Sequence, residues 1–204
     1  MGRYESYVLP RCINLMCGAK AMRPVRSRSM EGLSGVVLEL GFGSGTNVGL
    51  YPAEVTRIVA VEPSADARKL AAKRIARSAI PIEFVGLDGQ SIPLADDSVD
   101  HALSTWTLCT IPDLSAALSE VKRVLRPGGR LFFLEHGLSP VPAVARRQAR
   151  FEPWQKRFAG GCHLTRDMAS LLADAGFVVD DLAEFDLAGP KIMGHMYSGQ
   201  AVPV

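Results

Sequence analysis

The chain has 204 residues, 48% of them apolar and 22% charged, with a formal net charge of +2. This composition fits one folded α/β domain with a full core; it excludes a disordered chain, and the near-neutral charge argues against a nucleic-acid binder. No apolar run reaches the length of a membrane span and the N-terminus carries no signal-peptide-like apolar region, so the expected location is cytoplasmic.

Residues 1–34 read as an N-terminal helical extension. Tyr4, Tyr7, Val8, Ile13, Leu15 and Met16 form an apolar stripe that Pro10 interrupts, and Arg23, Arg26 and Arg28 follow. Such a segment either packs on the domain, closing over a ligand, or touches a membrane surface. From residue 36 onward strand and helix signals alternate. Residues 36–40, 57–62, 82–85, 99–104 and 130–135 read as strands one to five. Residues 65–77 read as a helix capped by Ser64. Residues 114–125 read as an amphipathic helix capped by Asp113 and stopped before Pro127-Gly128-Gly129. A further helix over 165–175 is stopped by Gly176, and residues 177–185 and 195–202 supply two last strands. Only a short connection joins these two, so they are expected to run antiparallel. Strands alternating with helices imply a mostly parallel sheet covered on both faces.

Residues 140–164 stand apart. They hold Pro140, Pro142 and Pro153, the basic residues Arg146, Arg147, Arg150, Lys156 and Arg157, and the aromatics Phe151, Trp154 and Phe158. The segment reads equally as an insertion shaping a substrate pocket and as a solvated helix with an apolar face.

The densest chemical signal lies at the end of strand one. The run Glu39-Leu40-Gly41-Phe42-Gly43-Ser44-Gly45-Thr46 turns sharply from strand to helix and lets backbone approach a ligand. A dinucleotide fingerprint reads G-x-G-x-x-G, but here the third glycine falls one residue early. Glu39 puts a carboxylate where a cationic group can sit. Glu62 ends strand two, placed for both hydroxyls of a ribose. Asp88, in Gly86-Leu87-Asp88-Gly89-Gln90, follows strand three and can accept from an adenine amino group. The alternatives are helix capping for Glu62 and a surface carboxylate for Asp88.

In order along residues 35–136 stand E-L-G-F-G-S-G, V-E-P, L-D-G-Q-S-I-P-L, D-D-S-V-D and V-L-R-P-G-G-R-L. This series resembles the class I S-adenosylmethionine-dependent methyltransferases. The resemblance implies a Rossmann-like three-layer sandwich whose seven-stranded, mostly parallel sheet has an antiparallel last strand. It makes residues 35–204 an S-adenosylmethionine-binding domain with 140–164 as a substrate-side insertion. It implies that Gly41, Gly43 and Gly45 approach the methionine part of the cofactor beside Glu39. Glu62, with Pro63 next to it, would take the ribose hydroxyls, and Asp88 the adenine amino group, with the Gly89 amide nearby.

A narrower resemblance rests on Thr107-Leu108-Cys109, Leu134-Glu135-His136, the stretch Gly161-Cys162-His163-Leu164-Thr165-Arg166-Asp167 and the closing G-H-M-Y-S-G-Q-A-V. These are similar to the methyltransferase-like family that includes alkyl-thiol S-methyltransferases. They imply methyl transfer to a small, mainly apolar acceptor, a thiol or sulfide in the first instance. A quinol-type ring is the alternative acceptor, and a non-catalytic cofactor-binding protein the alternative class. Nucleic acid is not expected as a partner, because Ser104-Thr105-Trp106-Thr107 after strand four does not fit a base-methylating motif. His136 and His163 are the candidate general bases; His101, inside strand four, reads as structural. Trp106 and Trp154 are candidates either for a pocket wall or for the core. The cysteines Cys12, Cys17, Cys109 and Cys162 match no zinc spacing and are expected to be reduced, so no metal is assigned. Cys109 reads as a small buried apolar residue; with Cys162 it can in principle hold a soft metalloid such as arsenite.

Overall fold

A computed structural model describes residues 8–204; Tyr4 and Tyr7 of the expected apolar stripe lie outside the described residues. Five strands, β1 (Gly35–Leu40), β2 (Val55–Val61), β3 (Ile82–Gly86), β4 (Val99–Thr105) and β5 (Leu125–His136), are followed by β6 (Phe177–Asp186) and β7 (His195–Pro203). They form one seven-stranded sheet in the order β3-β2-β1-β4-β5-β7-β6. The pairs from β3 across to β5 are parallel, and β7 runs antiparallel to both neighbours. This is the expected Rossmann-like sheet with its antiparallel last strand.

The strands are nearly continuous apolar runs because successive side chains enter different layers. Leu38, Val59 and Phe133 join one buried cluster with Leu118 and Val121 of α4 (Leu114–Val124) and with Met168 and Leu172 of α6 (Met168–Asp174). Their neighbours Val37, Ile58 and Phe132 join the opposite cluster, with Met30, Leu33 and Ala71 of α3 (Ala65–Ile75). The expected caps form: Ser64 Oγ accepts the Ala67 amide at 3.2 Å, and Asp113 Oδ1 accepts the Ala116 amide at 3.0 Å.

Two boundaries differ instructively. The segment around Pro127-Gly128-Gly129 does not leave the sheet. α4 ends at Val124 and β5 starts at Leu125, with a bulge that carries the register from Val99–Leu125 to His101–Arg130. The expected helix over 165–175 starts only at Met168, capped by Asp167. Thr165 is held elsewhere: its amide donates to Glu152 Oε2 at 2.8 Å.

The chain moves outward from β1 to β2 and β3 and then returns from β3 to β4 on the other side of β1, so a crevice opens where β1 and β4 end. Three elements frame it. The helices α1 (Leu9–Cys17) and α2 (Arg23–Ser29) precede the sheet, and α5 (Pro142–Phe158) follows β5. α1 is tied to α3 by an Arg11–Asp66 ion pair at 3.0 Å, and Asn14 Oδ1 accepts from Ser44 Oγ and Arg74 Nη1. Among the described residues no helix is long and apolar enough to cross a membrane.

Candidate functional site

A cavity of about 460 Å³ fills the crevice, within the range of small-molecule sites. Gly41, Gly43, Glu62, Pro63 and Ser64 form one part of its wall; Trp106, Thr107 and Thr110 come from the end of β4; Leu9, Pro10 and Ile13 come from α1; and Ala159, Gly160 and Gly161 follow α5.

The glycine loop is left-handed at each of its glycines, with φ of 66° at Gly41, 58° at Gly43 and 75° at Gly45. Two of them serve different ends. A Cβ on Gly41 would sit 2.0 Å from Thr107 Oγ1, whereas on Gly43 it would meet nothing nearer than 3.9 Å. Gly41 therefore lets β1 and the turn after β4 close together, and Gly43 leaves free space beside the cavity. Gly45 packs toward Phe42, Val48 and Ala71, off the cavity wall. Gly41→Ala is expected to destabilise the fold strongly. Gly43→Ala should cost only the roughly 1–2 kcal/mol of a left-handed residue while blocking ligand approach. Thermal unfolding and calorimetric titration of both variants with S-adenosylhomocysteine check the contrast.

Glu62 is buried at the end of β2. Its Oε2 accepts the Gly43 amide at 2.6 Å and its Oε1 the Ser64 amide at 2.7 Å. Burial raises its pKa, and the two amides oppose the rise. Each oxygen keeps a further lone pair for a ligand on the cavity side. The carboxylate thus both organises the glycine loop and presents a paired acceptor, a fit to a vicinal diol such as a ribose.

Glu39 does not line the cavity. It lies fully buried beneath the loop, accepting from Asn47 Nδ2 at 2.8 Å and from the Tyr51 hydroxyl. Above it runs a residue whose role the sequence did not reveal, Arg26 of α2. Only 3% exposed, Arg26 donates to Asn47 Oδ1 at 2.8 Å, Thr105 Oγ1 at 3.1 Å and the Cys17 carbonyl at 3.2 Å, and its guanidinium lies 4.5 Å from the Trp106 ring centroid. Trp106 itself has φ of 53°, a conformation that costs a bulky residue about 1–3 kcal/mol.

Burial, partly opposed by its hydrogen bonds and Arg26, pushes Glu39 up to about 7. A folded-state pKa above the unfolded value of about 4.3 means the group's stabilising contribution is full below that value and lost as pH rises through about 7. Relative to Glu39→Gln, the wild-type unfolding temperature is expected to fall between these pH values. A matched pair of melting curves across that window measures it.

Asp88, Gly89, His136 and His163 lie off the cavity wall. Asp88 is exposed and accepts from the Gln90 amide and side chain, both at 2.9 Å, which hold its carboxyl below the usual range. Gly89 faces Leu40 and Ile111. His136 stands behind Trp106, edge-on with ring centroids 6.3 Å apart. His163 sits beside Glu152 at 3.4 Å, and burial lowers its pKa. His101 accepts the Arg130 amide within the sheet, consistent with a structural role. Trp106 lines the cavity, while Trp154 is exposed and stacks on Phe158 at 6.1 Å.

Glu135, next to His136, is a buried hub. Its carboxylate accepts from Ser104 Oγ at 2.6 Å and from the amides of Thr107, Leu108 and Cys109 at 2.9, 3.0 and 3.2 Å, fixing the turn that carries Trp106. The motif Leu134-Glu135-His136 marked this glutamate in the sequence but gave it no role of its own.

Residues 38–133 match the family described as Methyltransferase domain. The chain is 38% identical over 156 residues to thiol S-methyltransferase TMT1B of Homo sapiens, covering 74% of this chain and 64% of that protein. Identity to thiol S-methyltransferase TMT1B of Rattus norvegicus is 35% over 179 residues, 82% of this chain and 73% of the other. The chain thus spans less than two thirds of the human protein's length. Its fold matches the crystal structure of a putative methyltransferase from Bacillus halodurans with a TM-score of 0.69 at 16% identity, over 89% of this chain and 96% of that one.

Proposed function

The chain belongs to the S-adenosylmethionine-dependent methyltransferases, and from that premise we propose that it methylates small, mainly apolar thiols or sulfides. The observation that carries the reading is the make-up of the cavity wall. Glu62 and the glycine loop provide a polar grip for a cofactor, while Leu9, Pro10, Ile13, Trp106 and Ala159 offer an acceptor a largely apolar enclosure. The human and rat proteins reported above are thiol S-methyltransferases, which favours sulfur as the acceptor atom.

S-adenosylmethionine supplies a methyl group on an electrophilic sulfonium, from which a thiolate can take it directly. The residues here would then bind, orient and exclude water. Glu62 takes the ribose hydroxyls and Gly43 leaves room for the cofactor backbone. Ala159, Gly160 and Gly161, in the segment 140–164, border the acceptor, and α1 covers it. A thiol with a pKa of about 8.5 is a few per cent ionised at neutral pH, so a wall that carries Arg26 and no histidine is compatible with transfer. Positioning alone supplies several kcal/mol, up to about 7–11 in favourable cases.

The test is incubation of the full chain with methyl-labelled cofactor and a panel of alkyl thiols, sulfides and quinols. Label is expected on the apolar thiols. Label on quinols alone would overturn the sulfur assignment, and calorimetric cofactor binding without transfer to any acceptor would overturn catalysis.

A further inference from the structure

Beside the cavity, the turn after β4, the end of β5 and the segment after α5 bring together Cys109, His136 and Cys162, whose ligating atoms all lie within 4.8 Å of one another. The Cys162 Sγ is 3.6 Å from Cys109 Sγ and 3.8 Å from His136 Nδ1. An ion holding sulfur at about 2.3 Å and nitrogen at about 2.0–2.1 Å in tetrahedral directions separates those ligands by roughly 3.6–3.8 Å. Two edges of the triangle therefore already have the lengths such an ion requires.

We propose that Cys109, His136 and Cys162 form a binding site for a thiophilic divalent cation of the zinc type.

Backbone hydrogen bonds and a ring contact hold the three residues in place. The Cys109 amide donates to Glu135 at 3.2 Å, and its carbonyl accepts the His163 amide at 2.8 Å. The Cys162 amide donates to the Ala159 carbonyl at 3.2 Å. His136 is packed edge-on against Trp106. Cys109 and Cys162 are 1% and 4% exposed, so an ion here would be shielded from competing water.

Charge supports the assignment. A divalent ion on two thiolates makes a neutral unit, and Arg166, donating to the Leu108 and Ile111 carbonyls, adds a cation to the same turn. Two cysteines and one histidine form a donor set suited to zinc, with three protein ligands and a fourth position left for another group. The site rests on different residues from the cofactor grip, so its failure would leave the methyltransferase reading untouched.

The experiment titrates the reduced, metal-stripped full chain with Co²⁺ as a spectroscopic probe. Wild type should develop a thiolate-to-cobalt charge-transfer absorption that saturates at one equivalent. Cys162→Ser and Cys109→Ser should lose the band. Losing a direct ligand should cost more than the roughly 10- to 100-fold typical of outer-shell changes. Cys12→Ser, altering an exposed thiol, should behave as wild type. As a readout free of variants, one equivalent of Zn²⁺ should raise the wild-type unfolding temperature. Absence of both the cobalt band and the zinc stabilisation in wild type would overturn the proposal, and so would a band that survives in Cys162→Ser.

Discussion

Replacing Glu62 with Gln should weaken S-adenosylmethionine binding by about 10²- to 10⁴-fold in isothermal calorimetry. Two hydrogen bonds from ribose hydroxyls to a charged acceptor are each worth about 1.5–3 kcal/mol, and about 1.4 kcal/mol is tenfold in affinity. The carboxamide also fails in the empty loop. Gly43 and Ser64 both donate their amides to Glu62, one to each oxygen, and an amide side chain has only one acceptor atom for them. One backbone donor is left without its partner and the glycine loop loosens. Glu62→Ala loses both amide contacts and should bind no better. Thermal unfolding separates the causes: a fall of a few degrees with lost affinity supports a binding role, whereas a large fall with residual affinity intact would mark Glu62 as a loop staple only. Affinity within a few-fold of wild type in a folded variant would remove the ribose assignment.

What the sequence disclosed of this architecture follows the range over which each interaction acts. The glycine loop was legible because left-handed backbone at Gly41 and Gly43 is a local demand that few residues meet. The caps Ser64 and Asp113 were legible for the same reason, since each bonds an amide three residues on. The bulge before Gly129 was not, because Pro-Gly-Gly ends a helix equally well whether the chain then leaves a sheet or distorts within it. Arg26 was hidden by its neighbours: in a basic run an arginine reads as solvated, and only the packing of α2 beneath Trp106 buries it. Asp88 was legible as a carboxylate after β3, but its acceptance from Gln90 through Oδ1 in the exposed turn was not, since a surface turn of this kind has no distinct pattern. The grouping of Cys109, His136 and Cys162 has no sequence signature, since adjacency of β4 and β5 and the return of the chain after α5 create it.

Arg26 carries the second large expected effect. Arg26→Met keeps much of the aliphatic bulk and removes the guanidinium, leaving Asn47 Oδ1, Thr105 Oγ1 and the Cys17 carbonyl without that donor. It also leaves Glu39 buried without its nearby cation. Removing one side of a buried charged network costs about 3–5 kcal/mol, and in a domain of this size 1 kcal/mol lowers the unfolding temperature by about 2–4 °C. The variant is therefore expected to melt roughly 6–20 °C below wild type. Because Arg26 ties α2 to the end of β4 and lines the cavity, cofactor affinity should fall as well. The double variant Arg26→Met/Glu39→Gln distinguishes charge from packing. If the uncompensated carboxylate causes the loss, the second substitution restores part of it, and the double-mutant cycle shows a coupling of about 1 kcal/mol or more. If additivity holds instead, the guanidinium acts through its contact with Trp106, a ring held at positive φ. In that case Arg26→Lys should be as damaging as Arg26→Met, because a point charge on a flexible stem reproduces neither the planar stack nor the three directed donors.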